Sequence, residues 1–167
     1  MLRKYEAEYD RCVNDLLESD IVLQMNDYIQ HGEVTTLDHC KNVSYISFLI
    51  CRRLGLDSRA AARGGLLHDF FLYDWHKTSE IKDAAGHIYK GLHGYVHPYV
   101  ALANAEYYFG AAIGGCEREI IRTHMWPLTL SMPRCREAYA VILADKLAAG
   151  AEVLSAIVHI PLKMPAR

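Results

Sequence analysis

The sequence predicts an all-α protein: one compact helical bundle of five to seven helices, with one long loop near residues 72–97. Three observations carry that prediction. Apolar residues recur at three- and four-residue intervals, the period of an amphipathic helix. No stretch reads convincingly as a strand. Capping residues and glycine stops divide the chain into helix-sized pieces.

Taken in order, residues 3–30 read as a first, mostly amphipathic helix, with Val13, Leu16, Leu17, Ile21 and Met25 near helical spacing. His31-Gly32-Glu33 turns the chain. Thr35 or Thr36 caps a second helix, with Asp38 in its first turn, that runs to Leu54 and stops at Gly55. Asp57-Ser58 caps an Ala-rich helix from Arg59 to about Phe70. Residues 72–97 carry aromatics, charges and glycines and read as loop. His97-Pro98 marks a helix start, with proline at the first helical position, and that helix ends at Gly110. A helix over 117–124 is broken by Trp126-Pro127, and a long last helix spans 134–158. The expected organisation is residues 1–34 as an N-terminal helix packed on the domain, 35–158 as the domain itself and 159–167 as a tail.

The chain has 167 residues, 51% of them apolar and 23% charged, and a formal net charge of −2. That length suits one domain with a sizeable core. The near-neutral charge offers no basic field for a nucleic-acid polymer or an anionic membrane. Five cysteines without a C-x-x-C pair argue against a disulfide framework and a zinc ribbon. With no apolar signal core at the N-terminus and no membrane-length apolar stretch, the expected location is cytoplasmic.

Nine histidines, spread along the chain, are the compositional oddity. His39 shares a helix face with Val43, Ile46 and Ile50, so it sits at one end of a core-facing stripe. A histidine there needs partners for its ring nitrogens. It is either a core residue bonded to backbone or a ligand. His68-Asp69 falls at a helix end, where neighbouring residues can reach one centre, and an imidazole beside a carboxylate suits a mixed N/O metal site. On the last helix Ala138, Val141, Asp145, Ala148 and Glu152 form one stripe. A carboxylate in that setting is either salt-bridged, with Lys146 or an arginine elsewhere, or a metal ligand.

Thr36-x-x-His39-x-x-x-Val43, Ala62-x-x-x-Leu66-Leu67-His68-Asp69 and Ala144-Asp145-Lys146-Leu147 together resemble the H…HD…D signature of the HD superfamily of metal-dependent phosphohydrolases, over residues 35–152. His97, in His97-Pro98, and His124, in Ile120-Ile-Arg-Thr-His124, resemble the additional histidines of members that hold two metals. Two departures set the chain apart from cyclic-di-GMP phosphodiesterases. Met125-Trp126-Pro127-Leu128 replaces their glycine-tyrosine-proline segment, and Asp69-Phe-Phe-Leu-Tyr-Asp74 replaces a D-x-G-K run. The likeness is closer to small stand-alone HD hydrolases, including bacterial ones that cleave diadenosine tetraphosphate.

The resemblance implies a helical HD domain that holds one or two divalent metals: His39, His68, Asp69 and Asp145 hold the first, and His97 and His124 either hold a second with Asp69 bridging or, with a single metal, contact phosphate or protonate the leaving group. Fe or Mn is favoured, with Zn, Mg, Co or Ni as alternatives. Asp69, His68, His97 and His124 are the implied catalytic set. The implied reaction is hydrolysis of a small phosphorylated molecule, a nucleotide above all, by a metal-activated hydroxide. The competing reading is a silent nucleotide-binding sensor that keeps the ligands. Lys77, His76, His93, Trp75, Trp126 and Arg122 are further candidates for contacts to substrate. Gly91 and Gly94 argue against a helical placement of His93 beside His97. The sequence leaves the oligomeric state open, a homo-oligomer included.

Overall fold

The computed structural model describes residues 5–78 and 80–158. The expected 159–167 tail lies outside the described residues. Seven α-helices dominate, in the order α1 (Glu6–Leu17), α2 (Asp20–Leu23), α3 (Thr36–Leu54), α4 (Ser58–Leu67), α5 (His93–Phe109), α6 (Gly115–Thr123) and α7 (Arg136–Val158). Two small antiparallel hairpins interrupt them: β1 (Ile29–His31) with β2 (Val34–Thr35), and β3 (Ile81–Lys82) with β4 (Ile88–Tyr89). The all-α reading holds, and the strands are local additions to it.

Helix α4 is the hub, with Ala60 to Leu67 all buried. Its Ala-rich, glycine-paired sequence is the reason. A Cβ on Gly64 would meet Ile120 of α6 at 2.8 Å, and one on Gly65 would meet the Ser44 backbone of α3 at 3.0 Å. Only residues without a side chain let three helices approach this closely. The flanking caps match the sequence: Thr35 Oγ1 accepts from the Asp38 amide, Asp57 from the Ala60 amide, and Gly55 ends α3 at φ 68°.

The core has two main parts. Leu16, Met25, Phe48, Leu66, Phe70 and Ala101 join α1, α3, α4 and α5 on one side of α4. Val43, Ala61, Ile120, Val141 and Ala144 join α3, α6 and α7 on the other. Helix α1 is tied to this body by Tyr9, whose hydroxyl donates to Ser44, and by the wholly buried Arg63, which donates to Asp15 and to the Cys12 carbonyl.

Four expectations need correction. The helix expected over 3–30 breaks after α1, because Ser19 takes the extended conformation of an N-cap ahead of Asp20; the chain then turns through a 3₁₀ segment into β1. The 72–97 segment is not all loop, since Asp83 nucleates the β3–β4 turn by accepting from the Ala85 and His87 amides. Helix α5 starts at His93, four residues before His97, so Pro98 lies inside it. On α3 the buried face runs through His39, Val43, Ser47 and Phe48, while Ile46 and Ile50 are half-buried.

Candidate metal centre

Six side chains converge where α3, α4, α5, α6 and α7 meet. His39 comes from the first turns of α3, and His68 from the C-cap of α4 with Asp69 directly after it. His97 comes from α5, His124 from the C-cap of α6 and Asp145 from α7. All six are buried. Because α4 ends at Leu67, His68 and Asp69 leave the helix together and face one interior point, as a helix-end doublet can.

The ring nitrogens are sorted by backbone. His68 Nδ1 donates to the Gly65 carbonyl at 2.7 Å, His97 Nδ1 to His93 O at 2.9 Å, and His124 Nδ1 to Ile121 O at 2.8 Å. In a neutral ring this leaves each Nε2 as a bare lone pair. The Nε2 atoms of His97 and His124 stand 2.8 Å apart, and Asp69 Oδ1 lies 3.1 and 3.3 Å from them. Three electron pairs facing one point repel unless a cation sits among them. Across Asp69, His68 Nε2 is 3.5 Å from Oδ2 and 3.9 Å from Asp145 Oδ1, and His39 Nε2 is 3.2 Å from Asp145 Oδ1. His68 Nε2 and Asp69 Oδ1 are buried without a hydrogen bond. Such atoms are costly in a protein interior, and a divalent ion satisfies them.

Two donor groups result, His39–His68–Asp69 and Asp69–His97–His124, each with its ligand atoms within 4.8 Å of one another. Imidazole and carboxylate are the donor set of first-row divalent metals. Charge is arranged to suit. Burial lowers His68 to about 4, so it is neutral at pH 7 and its lone pair is available. Burial alone would raise the Asp69 carboxyl, but the His68, His97 and His124 rings around it hold it well below the usual carboxylate range. Asp145 is lowered against its burial by the neighbouring His39 and His68 rings.

A profile of the HD domain matches residues 36–150, which contain all six of these side chains. The chain belongs to the HD-domain family. No curated protein and no solved structure matches it significantly. The HD domain is a fold of metal-dependent phosphohydrolases, and both donor groups could hold metal. No helix of the described residues is long and apolar enough to cross a membrane.

Two buried residues beside the HD centre escaped the sequence reading. Glu152 accepts from His39 Nδ1 at 2.9 and 3.1 Å, which turns His39 Nε2 toward Asp145. Its place on the Asp145 stripe, about two helical turns beyond Asp145, is its one signal in the sequence. Gln30, the middle residue of β1, donates to Asp69 Oδ2 at 2.7 Å. Nothing in the sequence around Gln30 marked it, because the hairpin that delivers it was read as helix. The salt-bridge reading of Asp145 is also present: Lys146 pairs with its Oδ2 at 2.6 Å, while Oδ1 faces His39.

The remaining candidates divide. His93 opens α5 with its ring stacked on His97 at 4.6 Å, contrary to the expectation drawn from its flanking glycines. Trp75 stacks on the other side of His93 at 5.0 Å, and Tyr73 shares a 3.0 Å hydrogen bond with His93 Nδ1. His93, Trp75 and Tyr73 line a cavity of about 620 Å³ between the β3–β4 hairpin and α5. His76 and Lys77 are exposed and turned to Asp74. Arg122 pairs with Glu119 and borders a separate groove of about 360 Å³ with Arg134. Trp126 packs edge-on against Tyr139.

Proposed function

We propose that this HD-domain protein is a hydrolase of small phosphoesters, a nucleotide foremost, acting as a phosphomonoesterase, phosphodiesterase or pyrophosphohydrolase. The observation that carries the reading is the buried triangle of Asp69 Oδ1, His97 Nε2 and His124 Nε2, built beside a second donor group that shares Asp69.

His39, His68, Asp69 and Asp145 would hold one divalent ion, and Asp69, His97 and His124 a second. Bound there, such ions supply charge neutralisation for phosphoryl oxygens and a water acidified toward neutral pH. The chain's own contribution is positioning. The Gly65, His93 and Ile121 carbonyls fix three imidazoles in one tautomer, Glu152 fixes His39, and Gln30 fixes the Asp69 carboxylate. The buried wall excludes bulk water, which strengthens every electrostatic contact inside. The cavity bounded by Trp75 and His93 lies one stacked ring away from His97, because His93 packs against both, and it suits an aromatic base.

The test is metal content by mass spectrometry on anaerobically purified protein, followed by phosphate release from a panel of nucleotides and dinucleoside polyphosphates. The expected result is one to two equivalents of iron or manganese and turnover that Asp69→Ala abolishes. Metal retention and nucleotide binding without turnover on any substrate would instead favour the silent sensor. No metal after reconstitution with Mn, Fe, Zn and Mg sinks both.

A further inference from the structure

At the opposite end of α6 from His124, a second group of reactive side chains lies outside the HD centre. Cys116 is in the first turn of α6, and Cys135 immediately precedes α7. Their sulfurs are 3.1 Å apart, both half-exposed, over an apolar bed that includes Cys51, Ile120 and Ala138. Glu137 Oε2 lies 3.7 Å from Cys116 Sγ, and its Oε1 accepts from the Asp57 amide at 3.1 Å.

These donors also meet the spacing of a cation site, but the sulfur geometry points elsewhere. Two thiolates on one tetrahedral zinc, at Zn–S of ~2.3 Å, stand about 3.8 Å apart. A closer pair is nearer to bonding, which needs an S–S distance of ~2.05 Å and asks here for a closure of about 1 Å. One carboxylate oxygen of Glu137 is already committed to backbone.

We propose that Cys116 and Cys135 form a reversible disulfide with a hydroperoxide as oxidant. Burial, then the neighbouring Cys135 and Glu137, push the Cys116 thiol well above its ordinary range. Glu137 Oε2 stands against Cys116 Sγ, so Cys116 is the thiol with a proton acceptor in place for the closing step, and Cys135 is assigned the first oxidation. Its sulfur takes one oxygen from the peroxide and becomes a sulfenic acid, and hydrogen peroxide leaves as water. Cys116 then attacks that sulfur while its proton passes to Glu137, and the sulfenic oxygen departs as a second water once it has taken up that proton. The balance is two thiols and one hydrogen peroxide to one disulfide and two waters, with two electrons passing from sulfur to oxygen. The bond closes a loop between positions 116 and 135 that contains Arg122 and His124, and it pins the start of α6 to the start of α7. An oxidant signal would thereby stiffen one wall of the metal centre without touching a ligand.

The experiment treats the full-length, reduced protein with stoichiometric hydrogen peroxide and reads intact mass and proteolytic peptides. The expected result is the loss of two hydrogens and a peptide joining Cys116 to Cys135 that disappears with dithiothreitol. Cys116→Ser and Cys135→Ser each abolish it, and Glu137→Gln slows its formation several-fold. Sulfinic acid on either cysteine in place of the bond, or linkage to Cys51, overturns the proposal. So does an equivalent of zinc on the untreated protein that Cys116→Ser releases, since that would make the cluster a cation site.

Discussion

At the residue scale, the centre depends on groups that never need to touch a metal. Glu152 and Gln30 are buried, and each hydrogen-bonds one side chain of the donor groups, His39 and Asp69 respectively. Removing such a partner leaves the ligand able to rotate or to change tautomer. Glu152→Ala is therefore expected to weaken metal binding by ~10–100-fold, read by competition with a chromophoric chelator. Gln30→Ala should weaken it in the same sense, because Asp69 Oδ2 loses the Gln30 amide that donates to it. Unchanged affinity in both would mean that packing alone positions His39 and Asp69. The sequence pointed to the six converging side chains but not to these two. A ligand motif is local and ordered along the chain, whereas a supporting residue is defined only by what it reaches.

At the element scale, two features set the geometry. The first is the approach of α4 to its neighbours through Gly64 and Gly65. Gly65→Ala would press a methyl group on the Ser44 backbone, and Gly64→Ala would press one on three atoms of Ile120. Each should cost about 1–3 kcal/mol in urea denaturation, and Gly65→Ala should also displace His68, reducing metal content. The second is the β3–β4 hairpin that walls the cavity. Asp83 accepts four bonds there, from the Ala85 and His87 amides, the His87 ring and the Tyr89 hydroxyl. Burial would raise its carboxyl, but the His87 amide, the His87 ring and the Tyr89 hydroxyl lower it below the usual range. A lowered folded-state value means the contribution is present above the unfolded value near ~3.9 and is lost as pH falls below it. Protection of the Ala85 and His87 amides, their exchange relative to the unfolded-chain rate at the same pH, should accordingly fall on acidification below about pH 4, and in Asp83→Asn already at neutral pH. Exchange that ignores both changes would remove Asp83 from the account of the hairpin.

At the scale of the whole molecule, stability rests on the packing around α4 and on one buried ion cluster. Arg63 is wholly buried and donates to Asp15, to the Cys12 carbonyl and to the Ala112 carbonyl, with Glu117 3.6 Å away. Arg63→Ala strands the buried Glu117 and opens a cavity, and should cost about 3–5 kcal/mol. Arg52→Ala, which removes an exposed pair with Glu8, should cost less than about 1 kcal/mol. Comparing their urea midpoints checks both. Metal that binds only the folded chain also stabilises it by mass action. Added manganese should raise the thermal midpoint of the wild type and leave that of Asp69→Ala unmoved.

By itself the sequence determined the fold class, the family and the ordered set of His39, His68, Asp69, His97, His124 and Asp145. Each of these is carried by a local pattern, whether helical periodicity, capping residues or a motif with its own spacing. Only the tertiary structure decided that His93 joins the aromatic stack beside His97, that Lys77 turns outward to Asp74, and that Gln30 and Glu152 reach inward to the ligands. It also decided where Ser19 ends a helix that the apolar spacing alone would have continued. The physical reason is the same in each case. Burial and hydrogen-bond satisfaction are collective, so a residue's role is set by whichever distant element packs against it, and no local window of the chain contains that element.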